Sequence, residues 1–249
     1  MTDQFIRFSV DGRIARIHLD RAAEQNRLTH SMTAELVASL MTASESEADV
    51  LSITAAGSDF SHGREYYEQL PAHISRGESM RMIVDANRAL AAFRGISVVA
   101  IQGRALGFAC GLAVQCDLSL AAETATFGFD EMRHGRPPRF VMSYLADHIG
   151  YKRAFDLVVT GRLINALDAE RFGIVSRVVP ERDLSVCTES LISELLELDR
   201  DALLACKSYS QEIRRIPPHE RAEYAYALTV GRNWPSGRTA AEDGAQTAE

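Results

Sequence analysis

The chain has 249 residues, of which 46% are hydrophobic and 24% are charged, and its formal net charge is -7 at pH 7. This composition is typical of a soluble globular protein rather than a disordered or fibrous one. The acidic balance argues against a nucleic-acid partner, because such binding depends on Lys and Arg neutralising phosphates. The length corresponds to one or two domains, and it allows a core that needs no metal or disulfide for stability.

Cysteine usage and hydropathy restrict the class further. Cys110, Cys116, Cys187 and Cys206 form no C-x-x-C pair, so neither a disulfide framework nor a zinc site is predicted. The N-terminal segment is polar and charged, unlike a secretion signal. No apolar stretch approaches the ~20 residues that a membrane helix needs. We therefore expect a cytoplasmic protein with no membrane partner.

Hydropathy patterns predict a hairpin, then alternating helices and strands, and finally a run of helices. Asp11-Gly12 is typical of a tight hairpin turn. Apolar residues at helical spacing predict helices, and short β-branched runs predict buried strands. The predicted strands are 5–10, 13–19, 50–55, 97–102 and 117–122, and the predicted helices are 31–41, 80–94, 152–160, 166–172, 184–198, 202–213 and 220–230.

The alternation of strand, glycine loop, helix and strand between residues 97 and 122 is typical of an α/β protein. We expect an α/β core over residues 1–183, a helical region over 184–232 and a polar tail over 233–249. Gly103, Gly107 and Gly111 fall four residues apart, which predicts one helical stripe without side chains.

Several common sites are absent from the sequence. It contains no G-x-G-x-x-G, no P-loop, no H-E-x-x-H and no G-x-S-x-G, and its seven histidines are dispersed. We therefore predict no bound cofactor and no metal.

Two glycine-flanked loops each follow a predicted buried strand: GSDFSHGRE over residues 57–65 and GRALGFACG over 103–111. Such loops are where open α/β folds bind ligands. A third segment, FGFDEMRHGRPPR over 127–139, places two carboxylates beside a histidine and arginines. The residues of these segments that we expect to contact a substrate are Ser61, Gly63, Arg64, Gly107, Gly111 and His134.

The order of these segments, together with DRAAEQNRLTHSM and TGRLINALDAERFGIVSRVVP, resembles the crotonase superfamily, or enoyl-CoA hydratase/isomerase family. The resemblance covers about residues 5 to 184. It implies a crotonase-like α/β fold of repeated ββα units with a C-terminal helical trimerisation region. It also implies a homo-oligomer, either a trimer or a dimer of trimers, and an acyl-CoA thioester as substrate rather than as bound cofactor.

The resemblance further implies an enolate stabilised by two backbone N–H groups, an oxyanion hole. By position in the family's motifs these donors would be His62 and Phe108, and Glu131 would be the acid/base residue. The family usually has small residues at the two donor positions, so both side chains would project bulk into or beside the acyl pocket. The second glutamate that hydratases of the family use is missing, because its position is Gly111.

A single carboxylate can carry a proton between two carbons, which suits double-bond isomerisation better than hydration. The predicted function is therefore enolate chemistry on an acyl-CoA, with an isomerase-like reaction preferred. Two alternatives stay open. One is a divergent lyase, hydratase or C–C bond hydrolase that uses His62 or His134, and the other is a catalytically weak oligomeric scaffold.

Overall fold

The computed structural model describes residues 4–231. Its strands are β1 (Ile6–Asp11), β2 (Ile14–Leu19), β3 (Val50–Ala55), β4 (Ile96–Ile101), β5 (Arg104–Leu106), β6 (Leu118–Ala122), β7 (Thr126–Gly128), β8 (Ile164–Asn165) and β9 (Arg177–Val179). Its helices are α1 (His30–Glu45), α2 (Arg76–Ala92), α3 (Phe108–Gln115), α4 (Arg139–Met142), α5 (Leu145–Ile149), α6 (Tyr151–Thr160), α7 (Ala166–Phe172), α8 (Leu184–Glu197), α9 (Arg200–Glu212) and α10 (Arg221–Gly231).

Every predicted helix and strand is confirmed, with shifted ends. The largest shifts are four residues each: α1 ends at Glu45 rather than at residue 41, and α2 begins at Arg76 rather than at residue 80. Ser75 and Glu78 form a capping box there, in which each side chain bonds the other residue's backbone N–H. This reciprocal pair satisfies two donors that would otherwise be free, and so extends the helix by a turn.

The main sheet has six strands in the order β1-β2-β3-β4-β6-β9. The β1–β2 hairpin is antiparallel, and the remaining pairs are parallel. All six residues of β4 are buried, as expected for a central parallel strand covered on both faces. A second, smaller sheet pairs β5 with β7 in parallel and β7 with β8 in antiparallel orientation.

The connection from β4 to α3 positions the glycine loop. The chain leaves the main sheet at Ile101, pairs in the second sheet as β5, and enters α3 at Phe108. Gly103 therefore precedes a strand, and the predicted helical stripe of three glycines is wrong. Gly107 and Gly111 alone remain one helical turn apart, joined by a hydrogen bond from the Gly111 N–H to the Gly107 carbonyl at 3.0 Å.

The first compact unit extends to Leu204, beyond the boundary predicted at residue 183. The physical reason is α8, which packs against β3, β4 and β6 and buries Leu191, Ile192 and Leu195. The second compact unit begins at Ala205. The predicted tail, 233–249, lies outside the described residues. Over residues 4–231, no helix combines the length and the hydropathy that crossing a bilayer requires.

Candidate active site

The first functional group of the site is a backbone N–H at the start of α3. Gly107 precedes the helix with φ +52° and ψ -120°, a conformation that is essentially restricted to glycine. Phe108 is the first helical residue, so its N–H has no acceptor within the helix. That N–H donates to no other group within residues 4–231.

The 57–65 loop runs alongside β5 and reaches the same point. Ser61 pairs with this strand, donating from its N–H to the Arg104 carbonyl at 3.0 Å and accepting from the Leu106 N–H at 3.0 Å. A β-carbon on Gly63 would lie 2.7 Å from the Leu106 carbonyl oxygen and 3.6 Å from the Phe108 nitrogen. Only glycine permits the backbone to come this close to β5 and α3. Arg64, the next residue along the chain, therefore lies near the start of α3.

The Arg64 N–H is the second unpaired donor. Gly63 accepts from the Leu28 N–H at 2.9 Å, and Glu65 donates to the Leu28 carbonyl at 2.9 Å. Successive N–H groups of a paired strand alternate in direction, so the Arg64 N–H points away from Leu28. Among the residues that the structure describes, no acceptor bonds it.

The predicted use of His62 as an oxyanion donor is wrong. Its backbone N–H already donates to the Gln25 carbonyl at 3.0 Å. Its ring Nε2 lies 3.2 Å from Asp59 Oδ2, with only 7% of the side chain exposed. Both polar parts of His62 therefore hold the loop in place, and the free donors are on Arg64 and Phe108.

Other side chains predicted to contact substrate also have structural partners. The Ser61 hydroxyl donates to the Asn26 carbonyl at 2.7 Å and accepts from the Gly63 N–H at 3.0 Å. The Arg64 guanidinium donates to the backbone oxygen and to the hydroxyl of Ser79, both at 2.8 Å. These bonds fix the loop, so its contribution to a ligand comes from the backbone.

The Phe108 side chain does not project away from the protein. It is 5% exposed and belongs to the main hydrophobic core. The side chain packs among core residues while its N–H lies at the start of α3, and a place in or beside the acyl pocket stays a prediction.

Glu131 is the buried carboxylate of the site. It begins a short 3-10 turn and is 6% exposed, and its Oε1 would lie 3.1 Å from a β-carbon on Gly107. Its Oε2 is buried and bonds no group in residues 4–231. Burial raises the pKa of Glu131 to about 7, because the ionised form loses its hydration, and the nearby charge of Asp130 adds to the increase.

The surroundings of Glu131 contain further polar groups. His134 lies on the same turn, 45% exposed, with Nε2 3.4 Å from Asp130 Oδ2, and its charge opposes the rise in the pKa of Glu131. Burial raises the pKa of Tyr66, and the negative charge of Glu131 raises it further. Arg136 stacks over the Tyr66 ring with its guanidinium carbon 4.3 Å from the centroid. In residues 4–231 no three His, Cys, Asp or Glu side chains are arranged to bind a metal ion.

Tyr144 is the site residue that sequence reasoning missed. A β-carbon on Gly111 would lie 2.3 Å from the Tyr144 hydroxyl oxygen, closer than two such atoms approach in proteins. The hydroxyl therefore fills the space into which a side chain at position 111 would extend. Burial raises the pKa of Tyr144, and the charges of Cys110 and Glu131 raise it further. No local motif marks this residue, because the contact depends on the packing of α5 against α3.

Comparison with known proteins gives one consistent result. The family model for enoyl-CoA hydratase/isomerase matches residues 10–225. A probable enoyl-CoA hydratase of Mycobacterium bovis is 32% identical over 210 residues, 83% of this chain and 81% of the relative. The hydroxycinnamoyl-CoA hydratase-lyase of Pseudomonas fluorescens is 26% identical over 230 residues, 89% of this chain and 83% of the relative.

A solved structure shows the same fold. It is a presumed enoyl-CoA hydratase of Thermobifida fusca YX in complex with CoA, with a TM-score of 0.80, 24% identity and coverage of 92% of each chain. The structural match extends over nearly the whole chain, and the family-model match covers both glycine loops and Glu131. The protein belongs to the enoyl-CoA hydratase/isomerase family, with a crotonase-type fold, and is an enzyme of that family.

Proposed function

We propose that this enzyme moves a proton at the α-carbon of an acyl-CoA thioester, with Glu131 as the only acid/base carboxylate and Δ3–Δ2 double-bond isomerisation as the reaction. The observation that carries the proposal is a buried carboxylate with a pKa of about 7, next to Gly107 and the start of α3. The CoA thioester itself is supported by family membership and by the CoA in the T. fusca structure.

The thioester oxygen would accept from the N–H groups of Arg64 and Phe108. Removing an α-proton places negative charge on that oxygen, and two fixed donors stabilise the charge without reorganisation. Each such donor contributes about 3 kcal/mol to lowering a barrier in enzymes with oxyanion holes. The supporting observation is that neither N–H bonds another described residue, while Gly63 brings the two close together.

Glu131 would take the proton from C2 of a 3-enoyl-CoA and return it to C4. The C3–C4 double bond becomes a C2–C3 double bond, and the enzyme ends in its starting protonation state. With a pKa near 7, both forms of the carboxyl group are populated at neutral pH, which suits a residue that accepts and then donates one proton.

The experiment is a turnover assay with 3-enoyl-CoA and 2-enoyl-CoA, run with wild type and with Glu131→Gln. We expect conjugated 2-enoyl-CoA to form from the first substrate, slow hydration of the second, and loss of isomerisation in the variant. A Glu131→Gln variant that isomerises at the wild-type rate would overturn the proposal. A wild type that neither binds nor turns over any acyl-CoA would favour a catalytically weak scaffold.

The alternative that uses a histidine predicts a different residue dependence. It would require His62 or His134 to act on the substrate, and both rings lie against aspartates, Asp59 and Asp130. Assembly as a homotrimer or a dimer of trimers stays a prediction, and so does the cytoplasmic location. Light scattering of the purified chain tests the first of these.

A further inference from the structure

Gly111 and Tyr144 define a second polar position, on the side of α3 and Gly107 against which Glu131 lies. Gly107 contacts the carboxylate and Gly111 contacts the phenol, with hypothetical β-carbon distances of 3.1 Å and 2.3 Å. The two glycines are four residues apart, which is a rise of about 6 Å along a helix. The two polar groups are therefore neighbours along one face, separated by about one turn.

The electrostatic contacts agree with this placement. The charge of Glu131 is one of the influences on the pKa of Tyr144, and burial, the largest of them, raises that pKa so that the phenol stays protonated at neutral pH. A protonated phenol cannot act as a base, but it can donate and accept hydrogen bonds.

The hydroxyl keeps hydrogen-bonding capacity for a ligand. A phenol has one donor and two acceptor positions, and the nearby Gln115 side chain partly opposes the rise in its pKa. The Gln115 amide nitrogen is itself 3.0 Å from Asn87 Oδ1 and 3.4 Å from the Gly111 carbonyl, which fixes its orientation. Gln115 is thus a fixed polar neighbour of the phenol.

Resting on the proposed function, we infer that Tyr144 is a specificity-determining residue, and that it selects acyl-CoA substrates with an oxygen on C5 of the acyl group or beyond, past the C3–C4 double bond. In the proposed reaction the thioester oxygen would lie at the start of α3 and the α-carbon at Glu131, so the next part of the acyl chain would extend along α3 toward Gly111. A hydrogen-bonding hydroxyl there favours an oxygen over a methylene group, because a buried polar group without a partner is costly.

Calorimetric binding of three matched thioesters tests this: hexanoyl-CoA, 5-hydroxyhexanoyl-CoA and 6-hydroxyhexanoyl-CoA. We expect at least one hydroxylated ligand to bind wild type about tenfold more tightly than hexanoyl-CoA, the range for one hydrogen bond in a buried site. Tyr144→Phe removes only the hydroxyl and should abolish the preference while hexanoyl-CoA affinity is kept. Tyr151→Phe, an exposed tyrosine stacked on Phe155, is the matched control and should leave it unchanged.

A second variant acts on the same contact without removing the hydroxyl. Gly111→Ala places a methyl group where the Tyr144 oxygen lies, so the ring must move and the preference should fall. A preference that survives in both Tyr144→Phe and Gly111→Ala, or equal affinity of wild type for all three ligands, overturns this inference and leaves the proposed function intact. No binding of any ligand, together with no turnover, overturns the proposed function itself.

The pH profile separates this role from proton transfer. Since Tyr144 is not the base, Tyr144→Phe should change KM for a hydroxylated substrate. The rise in kcat/KM near pH 7, which reflects ionisation of Glu131, should remain. If this rise in kcat/KM disappeared in Tyr144→Phe, the phenol itself would carry the proton, and the inference would be contradicted.

Discussion

The carboxylate of Glu131 and the backbone of Gly107 fit together so closely that a β-carbon at position 107 would lie 3.1 Å from Oε1. The contact ties the proposed acid/base residue to the residue that immediately precedes α3. Position 107 therefore requires glycine for two separate reasons. The backbone has φ +52° and ψ -120°, and the Glu131 carboxylate leaves no space for a side chain.

Gly107→Ala should therefore reduce both stability and turnover. We expect the free energy of unfolding to fall by about 1–3 kcal/mol because of the strained backbone, and kcat to fall because Glu131 must shift. Thermal unfolding and an isomerisation assay measure the two effects. Gly12→Ala is the control, since Gly12 also has a positive φ, +54°, with no atom within 4 Å of a β-carbon. Equal kcat in Gly107→Ala and wild type would refute the contact's role.

Gly63→Ala tests the pair of N–H donors. Its β-carbon would lie 2.7 Å from the Leu106 carbonyl oxygen, so the loop must move and carry the Arg64 N–H away from that of Phe108. Loss of one such donor lowers kcat by about a hundredfold or more in other enzymes. Steady-state kinetics should show a fall in kcat larger than any rise in KM. An unchanged kcat in a folded variant would remove Arg64 from the oxyanion hole.

His62→Ala distinguishes a loop anchor from a catalytic histidine. The ring lies 3.2 Å from Asp59, so its loss should lower stability by about 1–2 kcal/mol. Turnover should stay within about threefold of wild type, because the His62 N–H bonds Gln25 rather than substrate. Denaturant unfolding and kinetics on one preparation check both expectations. Complete loss of activity in a stable variant would instead support the histidine-dependent reaction.

The raised pKa of Glu131 predicts a pH-dependent activity. The carboxyl group must be ionised to take a proton from carbon, so kcat/KM for 3-enoyl-CoA should rise with pH to a plateau above about pH 7. Glu131→Gln should show low activity with no such limb. A wild-type limb near pH 4, the region of an ordinary glutamate, would mean that the carboxyl group is hydrated in the working enzyme.

The same shift predicts how stability depends on pH. Glu131 has a pKa of about 7 when folded and about 4.3 when unfolded, so the folded state binds more protons between these values. The stability that the protonated group contributes is fully present below about pH 4 and is lost as pH rises through 7. The loss is on the order of 3 kcal/mol. Glu131→Gln should therefore stabilise the protein at pH 8 relative to wild type and much less at pH 5, as chemical denaturation at both pH values would show.

The sequence predicted the longer elements because their signals are local. The apolar run of β4 and the helical spacing in α1 need no distant partner to be recognised. Strands β5, β7 and β8 have two or three residues each, and they depend on pairing with segments that are distant in the sequence. Local hydropathy cannot predict such strands.

The site was predicted in part for the same reason. Glu131 follows a motif, but the choice between the N–H groups of His62 and Arg64 depends on bonds to Gln25 and Leu28 in another segment. Tyr144 lies far along the chain from Gly111, and only the folded structure brings its hydroxyl to that glycine. Contacts between distant segments decide these assignments, and a motif does not record them.

Exchange of the α-protons of butyryl-CoA in D2O, followed by proton NMR, tests the central claim most directly. The measurement detects α-deprotonation and does not depend on which reaction follows it. We predict that wild type exchanges these protons and that Glu131→Gln does so at least about a hundredfold more slowly, the contribution typical of a positioned base. Equal exchange rates in the two proteins, or no exchange in wild type saturated with butyryl-CoA, would contradict the account.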